Sequence, residues 1–224
     1  MDISKINDII NSQKDFLNKN SNTISSRILL LKKLLLNIKI FEDEIYEALS
    51  KDLSKAKFES FLTEILLVEK EIKLFIKNLS KWSKDKKVKA SILNFPSKNY
   101  LKPEPYGKVL IITPWNYPFQ LSLTPLIGAF SSGNTVVIKP SELAPNTSSV
   151  LNRLIRDTFP ENIVSVIQGD AEVSKSLLSK KWDYIFFTGS TRVGKIVASE
   201  AAKNLTPVTL ELGGKSPCII DKGV

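Results

Sequence analysis

Residues 107–140 read GKVLIITPWNYPFQLSLTPLIGAFSSGNTVVIKP, and this stretch decides the fold. Two short apolar runs, Val109–Ile112 and Thr135–Ile138, bracket a helical stretch near 120–131. Runs of this length, bounded by glycine, proline or asparagine, fit strands buried on both faces. The texture continues downstream: Ile163–Val166 and Tyr184–Phe187 are strand-like, while 145–158, 171–179 and 192–203 are helical. Strands alternating with helices predict a parallel sheet with crossover helices, an α/β doubly wound, Rossmann-like fold. Thr206–Leu210 and Cys218–Ile220 read as two more short strands around Gly213-Gly214, and no internal repeat or low-complexity segment is seen.

Upstream the pattern is helical. Residues 3–19 read as a short amphipathic helix. From Ser25, apolar residues at Ile28, Leu31, Leu34/Leu35, Ile38, Phe41/Ile45 and Leu49 predict one long helix ending near Asp52. A further helix carries Phe58, Phe61/Leu62, Ile65, Val68, Ile72, Phe75/Ile76 and Leu79 on one face. All of these are packing positions. Pro96, Pro103 and Pro105 then break helical structure, and Gly107 closes a loop-and-strand connector. The organisation that follows is a helical region and connector over 1–105, a Rossmann-like domain over 106–210, and the start of a further domain over 211–224.

Composition excludes several classes of chemistry. The 224 residues hold 32 basic and 23 acidic side chains, a net charge of +9. The densest basic run, KWSKDKKVK at 81–89, sits at a helix end, where lysines complement the dipole, so it reads as a solvated helix end rather than a nucleic-acid surface. No apolar run approaches the ~18 residues that a membrane span needs. The opening MDISKINDII lacks the layout of a secretory leader, which predicts a cytoplasmic protein. There is no histidine, so neither a histidine triad nor a histidine metal site can form, and the single cysteine, Cys218, rules out an intrachain disulfide or a cysteine metal cluster. No metal site is expected.

In an open parallel sheet, ligands bind outside the carboxyl ends of the strands. Four segments follow strands. Thr113-Pro114-Trp115-Asn116-Tyr117-Pro118 offers an amide that either reacts or caps a helix. Lys139-Pro140-Ser141-Glu142 either grips ribose hydroxyls or forms a capped turn. Gly189-Ser190-Thr191-Arg192-Val193-Gly194 is a glycine-bounded turn opening a helix, where free N–H groups favour a pyrophosphate, although it is not the G-x-G-x-x-G fingerprint. Glu211-Leu212-Gly213-Gly214 places a carboxylate at a strand end, either a base or surface salt-bridge material.

Each segment is a modest signal alone; their order and spacing are not. From Gly107 to the end, and above all in FFTGSTRVGKIVASEAAKNLTPVTLELGGKSPC, the sequence resembles the aldehyde dehydrogenase superfamily, most closely its class 3 branch of fatty and aromatic aldehyde enzymes. In that family a cysteine thiolate attacks an aldehyde, hydride passes to a nicotinamide, and water releases the acid. The resemblance implies Asn116 as the oxyanion donor and Glu211 as the general base, suited to that role if partial burial raises its pKa. It places Thr113, Pro114, Trp115, Gly189, Ser190, Thr191, Val193, Gly194, Leu212 and Gly213 along the cofactor, with Lys139 and Glu142 at the adenosine ribose. Arg192 receives no role. NAD is the implied cofactor, with NADP also accepted in that branch, an aldehyde the substrate, and a homodimer the assembly.

The family's nucleophilic cysteine lies a few dozen residues beyond the Glu-Leu-Gly-Gly segment, and this sequence holds no counterpart. Cys218 reads instead as a small buried hydrophobe within a strand-like run. The resemblance therefore implies a chain truncated before the catalytic domain, holding an oxyanion donor and a base without a nucleophile, and inactive by itself. Two other readings stay open: a nucleotide-binding fragment without catalysis, and a remnant without function.

Overall fold

The computed structural model describes residues 3–19 and 22–223; Met1, Asp2, Asn20, Ser21 and Val224 lie outside them, as therefore do the first two residues of the polar opening read above. In chain order the helices α1 (Ile3–Asn18), α2 (Ile24–Ile40), α3 (Glu42–Leu53) and the short α4 (Lys57–Ser60) lead through a π-helical turn, Phe61–Ile65, into α5 (Leu66–Trp82). An antiparallel hairpin follows, β1 (Lys86–Val88) with β2 (Asn99–Leu101). Then come β3 (Lys108–Ile112), α6 (Gln120–Ser131), β4 (Thr135–Lys139), α7 (Pro145–Thr158), β5 (Val164–Val166), α8 (Ala171–Leu178), β6 (Tyr184–Gly189), α9 (Thr191–Ala202) and β7 (Val208–Leu212).

The second sheet is parallel throughout, in the order β5-β4-β3-β6-β7. Its strands read as continuous apolar runs because both faces are covered. Val109, Ile111, Val136, Ile138, Val164 and Val166 share one core with buried residues of α2, α3, α5, α6 and α7. Leu110, Ile112, Val137, Ile185 and Phe187 alternate to the opposite face and pack with α1, α8 and α9 through Ile6, Ile9, Leu177, Val197 and Ala201. The α/β doubly wound expectation holds. Because the chain moves outward from β3 to β5 and then returns to lay β6 against β3, the strand order reverses between β3 and β6.

Several local expectations need correction. The long helix over 25–52 is two helices: Phe41 (φ −87°, ψ 1°) leaves helical geometry, and α3 restarts with Glu42, Asp43 and Glu44 in its first turn, where acids favour a helix start. The helix expected over 58–79 contains the π turn. One extra residue in a turn shifts the helical phase by roughly 100°, so Phe58, expected on the buried face, is 73% exposed while Val68 is fully buried. Lys86–Val88, within the run read as a helix end, is a strand of the hairpin. β7 extends to Leu212, so Glu211 lies within a strand. Cys218–Ile220 forms no strand, and Cys218 is exposed rather than buried. Among the described residues β7 is paired only with β6 and none packs over the following segment, where Ile219 is 91% exposed. An apolar run becomes a buried strand only against a neighbour.

Gly107 opens β3 at φ +127°, and a Cβ there would lie 2.4 Å from Asp183 Oδ2, the atom that accepts the Lys108 N–H at 2.7 Å. Gly107→Ala is expected to destabilise the chain by about 1–3 kcal/mol through backbone strain and this clash. A thermal melt reads the loss; an unchanged Tm would show that Asp183 moves aside freely.

Candidate active site

The reversal between β3 and β6 opens a crevice at the carboxyl ends of those strands. Thr113, the first residue after β3, is still tied to β4: its N–H donates to the Lys139 carbonyl at 3.2 Å, its hydroxyl lies 3.0 Å from Ser122 Oγ, and it is buried. The chain then leaves the sheet, and Pro114, Trp115 and Asn116 line a cavity of about 800 Å3. Gly189 and Ser190 from β6 and its following turn, Glu211 and Leu212 from β7, and Gly213 just after it line the same cavity. Asn116 and Glu211 are both exposed there. The partial burial expected for Glu211 is therefore not supplied by this chain.

The turn into α9 is built by a cap and by close packing. Ser190 Oγ accepts the Val193 N–H at 3.3 Å, while helix geometry leaves the other first-turn amides without partners inside the helix. Gly194 is buried beneath Leu212, where a Cβ would come within 2.7 Å of Leu212 Cδ2; at Gly189 it would come within 2.6 Å of the Phe187 ring. These two glycines bring the α9 turn close to the end of β7. Gly213 has nothing within 4 Å of a built Cβ. Thr191 and Arg192 are exposed on the first turn, and Val193 is half-buried against the second core.

Lys139 and Glu142 lie apart from that cavity, by the carboxyl ends of β4 and β5. Lys139 is 1% exposed, and its ammonium donates to the Pro140 carbonyl at 2.8 Å and to Glu142 Oε2 at 3.0 Å. Glu142 borders a second cleft of about 370 Å3 with Ser141, Ser148, Gln168 and Gly169. Burial alone would raise its carboxyl, but its own backbone N–H together with the hydrogen bond and charge of Lys139 outweigh burial and hold it below the ordinary carboxylate range.

Two residues near the site were not singled out in the sequence. Glu64, in the π turn, is fully buried. Its Oε1 accepts from Lys55 at 2.5 Å, and its Oε2 accepts the N–H groups of Phe119 at 3.1 Å and Gln120 at 2.9 Å. Lys55 also donates to the carbonyl of Asn116 at 2.9 Å and sits 4.0 Å from the centroid of the Tyr117 ring. Burial pushes the Glu64 carboxyl above its ordinary value, with the Lys55 and amide hydrogen bonds opposing it. The available signal was a carboxylate on the apolar helix face that carries Phe61, Ile65 and Val68. Lys55 carried none.

The model of the aldehyde dehydrogenase family matches residues 4–224. The chain belongs to the aldehyde dehydrogenase family. It is 51% identical over 211 residues to the 4,4'-diaponeurosporen-aldehyde dehydrogenase of Staphylococcus aureus, covering 94% of this chain and 46% of that protein. It is 50% identical over 177 residues to aldehyde dehydrogenase family 3 member B2 of Mus musculus, covering 79% and 37%. The substrate-bound Staphylococcus aureus AldH structure superposes with a TM-score of 0.93 at 50% identity, covering 97% of this chain and 48% of that one. The structure of PnpE from Pseudomonas sp. WBC-3 in complex with nicotinamide adenine dinucleotide does so at 0.84 and 25% identity, covering 95% and 44%. The chain thus spans under half the length of these aldehyde dehydrogenases and corresponds to their amino-terminal part.

Proposed function

We propose that this chain builds the cofactor-binding face and two reacting-site groups for oxidation of an aldehyde to a carboxylic acid with NAD. The observation that carries this reading is the convergence of Asn116, Glu211 and the Gly189-Ser190 turn on one cavity at the strand-order reversal. NAD, when bound, accepts a hydride. Asn116 Nδ2 donates to the carbonyl oxygen of the aldehyde as negative charge builds there during attack by a thiolate. Glu211 takes a proton from the water that releases the acid. Cys218 is not among the residues lining the cavity, so the reading assigns this chain no thiol.

The residues present suit a dinucleotide. The Lys139 ammonium has three N–H donors and two acceptors among the described residues, leaving one for a ribose hydroxyl at the border of the second cleft. Glu142 beside it favours NAD, since a carboxylate repels a 2′-phosphate. Ser190, Thr191 and Val193 surround the first-turn amides of α9, which suit a pyrophosphate, with Gly194 keeping that turn close to Leu212 and Gly213 at the nicotinamide side. Pro114 and Trp115 offer the cofactor a wall of the larger cavity, with Thr113 buried beneath them at the end of β3.

Calorimetric titration of the chain with NAD and NADP tests this. NAD is expected to bind more tightly than NADP, and Lys139→Met to raise its Kd roughly 10–100-fold, the loss of a charge-assisted hydrogen bond. Absence of NAD binding to the folded chain would overturn the assignment of these residues to the cofactor.

A further inference from the structure

We infer that Lys55 and Glu64 are positioning residues for the Asn116 loop, a buried ion pair on the π-helical side that locks the backbone of the oxyanion donor onto the start of α6. The inference rests on the reading of Asn116 given above. Two stretches distant in sequence, 55–64 and 116–120, are closed into one hydrogen-bonded chain. Glu64 spends both carboxylate oxygens: one on Lys55, the other on the amides of Phe119 and Gln120. Lys55 passes the connection to the Asn116 carbonyl and covers the Tyr117 ring. The backbone is therefore held at Asn116 and again at Phe119 and Gln120, while the Asn116 side chain makes no hydrogen bond among the described residues and lines the cavity.

A role in stability alone accounts poorly for this arrangement. Helices commonly satisfy their first amides with a local Ser, Thr, Asp or Asn. The start of α6 at Phe119 has no such side-chain cap and takes its acceptor from 55 residues away in sequence. A buried ion pair contributes little net stability compared with apolar packing. What it provides is a fixed position for every group it touches. The π turn is the local geometry that carries Glu64 to this point; such turns are poor helix and recur at functional sites. Displacing a reacting group by about 1 Å can cost about 10²-fold in rate, so a device that holds Asn116 acts on chemistry without touching substrate.

The experiment is a double-mutant cycle in an enzyme where this chain is completed by the carboxyl-terminal part that its relatives carry, reading kcat and KM with saturating NAD. Asn116→Ala is expected to lower kcat by about 10²–10³. Lys55→Met is expected to lower it roughly 10–100-fold with KM for NAD unchanged, and Lys55→Arg to recover most of that loss. Added to Asn116→Ala, Lys55→Met is expected to cost nothing more, because its effect passes through that amide. Full multiplication of the two losses, or an unaltered kcat in Lys55→Met, overturns the inference while leaving Asn116 in place. An unaltered kcat in Asn116→Ala overturns the underlying reading instead. Where Lys55→Met does not fold, Glu64→Gln, which keeps an acceptor for both amides and removes the charge, is placed in the same cycle and judged by the same two outcomes.

Discussion

Replacing Glu64 with alanine is expected to lower the unfolding free energy of the chain by roughly 3–5 kcal/mol, the cost of breaking a buried pair by removing one partner. Lys55, its side chain 9% exposed, would be left without its counter-ion, and the Phe119 and Gln120 amides would lose their acceptor. Against a typical total of about 5–15 kcal/mol, this is a large fraction. Urea unfolding followed by tryptophan fluorescence and by circular dichroism measures it; a loss under about 1 kcal/mol would show that water or a repacked loop replaces the carboxylate. A pH profile tests a separate property of this carboxyl, the cost of ionising it in a buried place. Because burial holds the Glu64 pKa above its ordinary 4.5, the folded state keeps that proton longer than the unfolded state. The carboxyl's own contribution to stability is thus full below about 4.5 and declines as pH rises through the folded value. Glu64→Gln is expected to remove that decline, seen as a wild-type-minus-variant difference that shrinks with rising pH.

Asn116→Ala is expected to reduce turnover by about 10²–10³, equivalent to roughly 2.7–4 kcal/mol of lost transition-state stabilisation. NAD affinity should change far less, because the ribose groups at Lys139 and Glu142 lie at a separate cleft and the Gly189-Ser190 turn in the cavity of Asn116 is untouched by the substitution. The measurement pairs steady-state kcat in the active enzyme with NAD titration of the chain. A reduced NAD affinity with intact kcat would reassign Asn116 to the cofactor. Stability should change little, since the Asn116 side chain is exposed and it is the backbone carbonyl, retained in alanine, that accepts from Lys55.

Much of the architecture was legible in advance because it rests on short-range pattern. Val109–Ile112 and Val136–Ile138 are apolar at every position, as a strand covered on both faces requires, and the helices between them alternate on schedule. Phe58 and Phe41 were misplaced because helical periodicity assumes an unbroken phase. A π turn and a non-helical Phe41 change that phase without any strong breaker in the sequence. Cys218 was misplaced because apolar character indicates a preference for burial and cannot say whether a partner is there.

By itself, the sequence determined the doubly wound class and brought the segments after β3, β4, β6 and β7 to one end of the sheet, since a parallel strand and its crossover leave no other place for them. Within these 224 residues it also excluded histidine chemistry and an intrachain disulfide. Only the tertiary structure decided how those segments are divided: Asn116, Glu211 and the Gly189 turn at one cavity, Glu142 at another with buried Lys139 beside it. It alone joined Lys55 and Glu64 to the Asn116 loop. The physical reason is range. Periodicity and turn chemistry act over a few residues, whereas a buried carboxylate selects its partners by desolvation, across whatever chain separation the fold happens to close.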